Sequence, residues 1–193
     1  MRNLMLRIGR LMAMLGGLVL VGLVVITCVS VLGRIGNTLG HNAWLESAAA
    51  PLAALFRHLG PVRGDFELVE AGVAFAIFAF FPWCQLKRGH ATVDLFTQFL
   101  PQTGQRFLAM LWEVLLALVI AALTWRLIVG TLDKADNGET TFLLQFPVWW
   151  GFALCAFAAT VASVVALYVA AMRVRELFTG VDSLIAPEAG AEH

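Results

Sequence analysis

Charge is what this chain has least of. Asp, Glu, Lys and Arg together make up 13% of its 193 residues, against 60% hydrophobic ones, whereas a soluble domain carries about 25% charged residues. That shortage excludes water as the solvent for most of the chain. The cations and anions, 13 of each, cancel, so net charge points to neither nucleic acid nor an acidic substrate. Histidine is missing where a cofactor would need it, because His41, His58, His90 and His193 all fall outside the long apolar runs. A b-type haem requires axial side chains that face each other inside a bundle, so a haem-carrying redox subunit is disfavoured. Cys28, Cys84 and Cys155 are far apart, show no CxxC spacing and sit within apolar runs, where cysteine serves as a small buried hydrophobe. No Gly-rich phosphate loop, HExxH or Ser/His/Asp grouping occurs, and with them go the usual parts of an enzyme. The reading is no enzyme, with no catalytic residue, cofactor site or metal site in this chain.

What the sequence does contain is long apolar runs bounded by cations. Leu11 to Leu32 holds no charge and suffices to cross about 30 Å of hydrocarbon at about 1.5 Å per residue. Preceded by Arg2, Arg7 and Arg10, it reads as an uncleaved signal anchor, too long for a signal-peptide core. Gly16, Gly17 and Gly22 within it fit two readings equally, close approach of a neighbouring helix or simple tolerance in lipid. A second run from Phe66 to Leu86 has Asp65 as its expected N-cap, Glu67 and Glu70 in its first turns, and Pro82 to kink its last turn. It stops at Lys87-Arg88, a cation pair that holds a loop on the cytoplasmic side. A third run covers about 107–129, and a fourth, about 147–172, is entered through Trp149 and Trp150 and stopped by Arg173 and Arg175.

Two shorter stretches have helical apolar spacing but are too short and too charged to cross. One covers 44–59, anchored by Trp44; the other covers 92–100, where Val93, Phe96 and Leu100 share a stripe and Asp94 faces elsewhere. The fold class is therefore an all-α integral membrane protein with four transmembrane helices plus amphipathic interfacial helices. One membrane domain spans 1–175, and 176–193 is a flexible cytoplasmic tail. Four crossings with both termini cytoplasmic place eight Lys and Arg residues inside and four outside, in keeping with the positive-inside bias.

An ionisable group inside a span marks function until shown otherwise. Glu70 begins the second span and Arg126 ends the third, so the two are expected to approach one another near the outer face, the alternative being that each snorkels separately to water. Glu113 is deeper, about 10 Å along its helix from Arg106, and an interhelical hydrogen bond or a partner contact suits it better than proton relay. The first and fourth spans carry no ionisable residue, and no repeat relates the two halves, unlike a self-sufficient transporter.

The run Gly64-Asp65-Phe66-Glu67-Leu68-Val69-Glu70 precedes a span, and Cys84-Gln85-Leu86-Lys87-Arg88-Gly89-His90-Ala91-Thr92-Val93-Asp94-Leu95-Phe96 follows it. With Phe146-Pro147-Val148-Trp149-Trp150 at the last span, this pattern resembles the small membrane subunit, DctQ type, of tripartite ATP-independent periplasmic (TRAP) transporters. The likeness covers most of Gly64 to about Arg175 and departs from the family in the long segment from Arg34 to Gly64. It implies a bacterial inner-membrane subunit that braces a large multi-span partner, the partner holding substrate and sodium sites while a periplasmic binding protein delivers a carboxylate-bearing solute. Candidate partner contacts are Glu70, Lys87, Arg88, His90, Val93 and Asp94, together with Phe96, Leu100, Glu113, Arg126 and Trp149; membrane lipid is the other neighbour. The rival readings are a free-standing small channel or exporter and a membrane subunit of a redox complex.

Overall fold

Four helices account for almost all of the residues described by the computed structural model, which are 2–41, 60, 62–87 and 102–179. They are α1 (Arg2–Gly40), α2 (Asp65–Leu86), α3 (Gln102–Asn137) and α4 (Val148–Thr179). Each is long and apolar enough to cross a membrane, so the four expected crossings are present. The expected interfacial helices at 44–59 and 92–100 lie outside the described residues, as do Arg88, His90, Val93, Asp94, Phe96 and Leu100.

The helices are longer than the apolar runs that announced them. α1 extends from Arg2 through Arg34 to Gly40, because no proline interrupts it and a polar residue outside lipid is no obstacle to a helix. α3 continues to Asn137, so the stretch from Gly130, beyond the third apolar run at about 107–129, is helical for two more turns and the connection is only 138–147. α4 reaches Thr179, which makes 176–179 helix rather than tail. α2 passes through Pro82 and ends at Leu86, four residues later. Its N-cap is Gly64, not Asp65, with the glycine in the left-handed conformation at φ 75°.

α1 and α2 run antiparallel in a seven-residue register, close to two helical turns. Gly9 meets Leu86 and Trp83, Gly16 meets Ala79, Leu23 fills the space left by Gly72, and the Ser30 hydroxyl donates to the Asp65 carboxylate. A Cβ on Gly16 would lie 3.1 Å from that of Ala79, so this glycine does let the helices approach. Gly17 and Gly22 face open space, where an added Cβ would meet nothing within 4 Å.

α2 packs in turn on α4, and α4 on α3, so α2 and α4 occupy the middle and α1 and α3 the flanks. Alanines dominate the seams: Ala79 and Ala158 with Met12 join α1, α2 and α4, while Ala117, Ala162, Ala166 and Ala170 with Ile120 join α3 to α4. Lipid offers no hydrophobic drive for such contacts, so dispersion at close range and interhelical hydrogen bonds carry them. The Thr124 hydroxyl supplies one, donating to the Ala159 carbonyl at 3.1 Å and lying 2.7 Å from the Ser163 hydroxyl. Other hydroxyls are satisfied within their own helices, Thr27 on Leu23, Thr131 on Leu127 and Thr160 on Ala156, as a bilayer demands.

Candidate functional site

The polar side chains of this bundle gather at its two ends and at two positions in between. At the end where α2 begins, the connection between α3 and α4 folds over the α2 N-terminus. A single bridge pairs Thr140 with Pro147, the Thr141 amide donates to the Phe146 carbonyl at 2.7 Å, and Val148 donates to Glu139 at 3.0 Å. Two residues with positive φ, Gly138 at 62° and Gln145 at 54°, make the reversal. The tip is held from below by Glu67, whose carboxylate accepts the Leu143 amide at 2.7 Å and the Leu144 amide at 3.1 Å. Leu144 then rests on Gly64, its Cγ only 2.3 Å from where a Cβ would stand. Gly64 is thus required twice, once for its backbone and once for its lack of a side chain. This latch was not foreseen, since 76 residues separate Glu67 from Leu143; the acid in the first helical turn was its only sequence signal.

Beneath the latch is an apolar groove of about 430 Å³ between α2 and α3, floored by α4. Ala71, Ala74 and Phe78 line one wall, Leu127 the other, and Gly151 and Cys155 the floor, with Glu70 at the rim. The groove closes toward the opposite end, where Phe81 of α2 packs against the Ala117 and Ile120 cluster and Gln85 Nε2 donates to Glu113 Oε2 at 2.9 Å. Glu113 therefore makes the interhelical hydrogen bond expected of it. Gln85 is almost wholly enclosed, at 1% exposure, and its Oε1 has no partner among the described residues.

At that same end two cations stand over Trp83, the Arg10 guanidinium 5.8 Å and the Lys87 ammonium 5.4 Å from the ring centroid. Such pairs attract through the ring quadrupole, and an indole beside cations belongs at a membrane–water boundary. At the other end Trp149 and Trp150 sit edge to face at 5.7 Å, with Phe146 against Trp150 at 5.4 Å. Indole side chains thus stand at both ends of the bundle.

Glu70 and Arg126 are not brought together. Both are exposed, and among the described residues no ion pair joins them; Lys134 instead pairs with Glu139 in the connection above. Helical phase explains the miss: Thr124 faces α4, and two residues on, about 200° around the helix, Arg126 faces away from the bundle. Nor does Arg126 end its helix, since Asn137 lies eleven residues beyond it.

Four apolar helices with polar groups spent on tying them to one another, and indole side chains at both ends, define a multi-pass membrane protein. The family model of the DctQ component of tripartite ATP-independent periplasmic transporters matches residues 50–178. The chain belongs to that family, as the small membrane subunit of such a transporter. No curated protein and no solved structure matches it.

Proposed function

We propose that this chain is a non-catalytic brace for the large membrane subunit of a sodium-coupled TRAP importer in a bacterial inner membrane, taking up a carboxylate-bearing solute. The observation that carries the reading is how the polar groups within the bundle are used. Ser30 is committed to Asp65, Gln85 to Glu113 and Thr124 to Ser163, each joining two helices. A translocation route needs polar groups that face a path and exchange partners; these are spent on rigidity. The cationic end, with Arg10, Trp83 and Lys87, is the cytoplasmic one, and the latch over Glu67 is periplasmic, in accord with the bias of Lys and Arg. Family membership supports the partners, a large membrane subunit and a periplasmic binding protein; substrate and sodium sites belong to the large subunit. A tag on this chain tests the reading: mild extraction of membranes containing all components recovers the large subunit with it. Recovery of this chain alone, with uptake unchanged when it is deleted, contradicts it.

A further inference from the structure

Arg126 is a cation in the wrong place for an isolated bundle. It lies on α3 seven residues before Asp133 and thirteen after Glu113, the nearest charged positions on that helix, which is about 10 Å and about 20 Å of helix at 1.5 Å per residue. α4 offers no charge at this level, since its first is Arg173, and Thr124, two residues away, faces Ala159 and Ser163. The charged residues of α2 are Asp65, Glu67 and Glu70, in its first two turns; the Gln85–Glu113 bond puts Glu70 at about the level of Arg126, but across the groove, and no ion pair joins the two among the described residues. Among the described residues Arg126 has no hydrogen bond and no ion pair, and it is exposed. Ionised groups at such depth are costly and are found paired.

Snorkelling does not remove the problem. An arginine reaches roughly 7 Å along its helix, and side chains lean toward the helix N-terminus. For α3 that direction is toward Glu113, the farther exit. The face around Arg126 is otherwise apolar: Trp112 is 63% exposed, Leu115 47% and Val119 46%, and with Ala122 they fall within about 40° of Arg126 on the helical wheel. A stripe of large apolar residues ending in a cation with no ion pair among the described residues has the form of a docking surface that lacks its counter-charge.

We infer that the outer face of α3, Trp112 through Arg126, is where the large membrane subunit docks, and that a carboxylate on one of its membrane helices pairs with Arg126. The inference rests on the bracing role proposed above and adds which face braces. The far side of α1, exposed at Leu18 (70%) and Val21 (62%), is then lipid-facing.

The test uses the whole transporter in its membrane. A photoreactive phenylalanine analogue replaces Val119 in one variant and Leu18 in another, both with Arg126 intact. Crosslinks to the large subunit from position 119 and not from 18 are expected. Arg126→Gln should lower recovery of the large subunit with the tagged chain by at least about tenfold, as loss of one partner of a desolvated ion pair does, while Arg126→Lys retains most of it. In bilayer discs holding this chain alone, Arg126→Gln should leave the melting temperature unchanged or raise it, which separates lost pairing from misfolding. Crosslinks from 18 but not 119 overturn the assignment of the face. Undiminished recovery with Arg126→Gln, or only lipid adducts at 119, overturns the pairing and leaves an anionic headgroup as the counter-charge. If the unaltered chain recovers no large subunit at all, it is the bracing role that fails.

Discussion

Replacing Gly64 by alanine separates two costs that usually come together. The residue sits at φ 75°, a conformation that costs an L-residue about 1–2 kcal/mol. The new Cβ would also stand 2.3 Å from Leu144 Cγ and 2.8 Å from both its Cδ atoms, far inside the roughly 3.5–4.0 Å of a carbon contact. Clearing that overlap requires Leu144 to leave Gly64, at the about 1–3 kcal/mol typical of overpacking. Gly64→Ala should therefore destabilise the bundle by about 2–5 kcal/mol. Gly138 is the built-in control: its φ is 62°, and a Cβ there would meet nothing within 4 Å, so Gly138→Ala should cost only the backbone share, about 1–2 kcal/mol. Equilibrium unfolding in mixed micelles, followed by tryptophan fluorescence, measures both. Adding Leu144→Ala to Gly64→Ala should return the steric share, a favourable coupling of about 1–3 kcal/mol in a double-mutant cycle. Amide exchange at Leu143 and Leu144 supplies a local readout, since both N–H groups are held by Glu67 and should exchange faster once Leu144 is displaced. Equal losses for Gly64→Ala and Gly138→Ala, or a coupling of zero, would refute the claim that Leu144 closes the latch on Gly64.

The helix seams yield further expectations. Gly16→Leu should cost about 1–3 kcal/mol by forcing α1 from Ala79, whereas Gly17→Leu, facing open space, should stay within about 0.5 kcal/mol of the unaltered chain; thermal melts of the two decide this. Thr124→Val removes the bonds to Ala159 and Ser163 and should cost about 0.5–1.5 kcal/mol, the range seen for interhelical bonds in membranes, by the same assay. Glu113→Ala leaves the enclosed Gln85 amide without its partner and should cost about 1–3 kcal/mol, while replacing both residues by leucine should cost less than the sum of the single changes.

Much of this architecture was legible in the chain because lipid imposes a simple rule, that a charge-free run long enough to cross is a helix. Leu11–Leu32 and the run at about 147–172 announced α1 and α4 in that way. Helix ends were not legible. Arg34 and Asp133 read as loop because charge marks the end of lipid, not the end of a helix, and α1 and α3 continue past them. Glu113 was readable as an interhelical partner from its depth, but Gln85, the residue it bonds, was not singled out. Depth alone brings Glu70 and Arg126 together and phase does not: the turn of α3 that aims Thr124 at α4 aims Arg126 outward. Gly16 differs from Gly17 and Gly22 only through the α1–α2 register, which no single run reveals. Of the candidate contact residues, Lys87 proved to stand over Trp83, and Trp149 to sit edge to face with Trp150.

The bracing role is tested most directly in vesicles. Purified and reconstituted alone under an imposed sodium gradient, the chain should pass organic carboxylates no faster than protein-free vesicles, and accumulation should appear only when the large subunit and the binding protein are added. Carboxylate accumulation by this chain on its own would contradict the account.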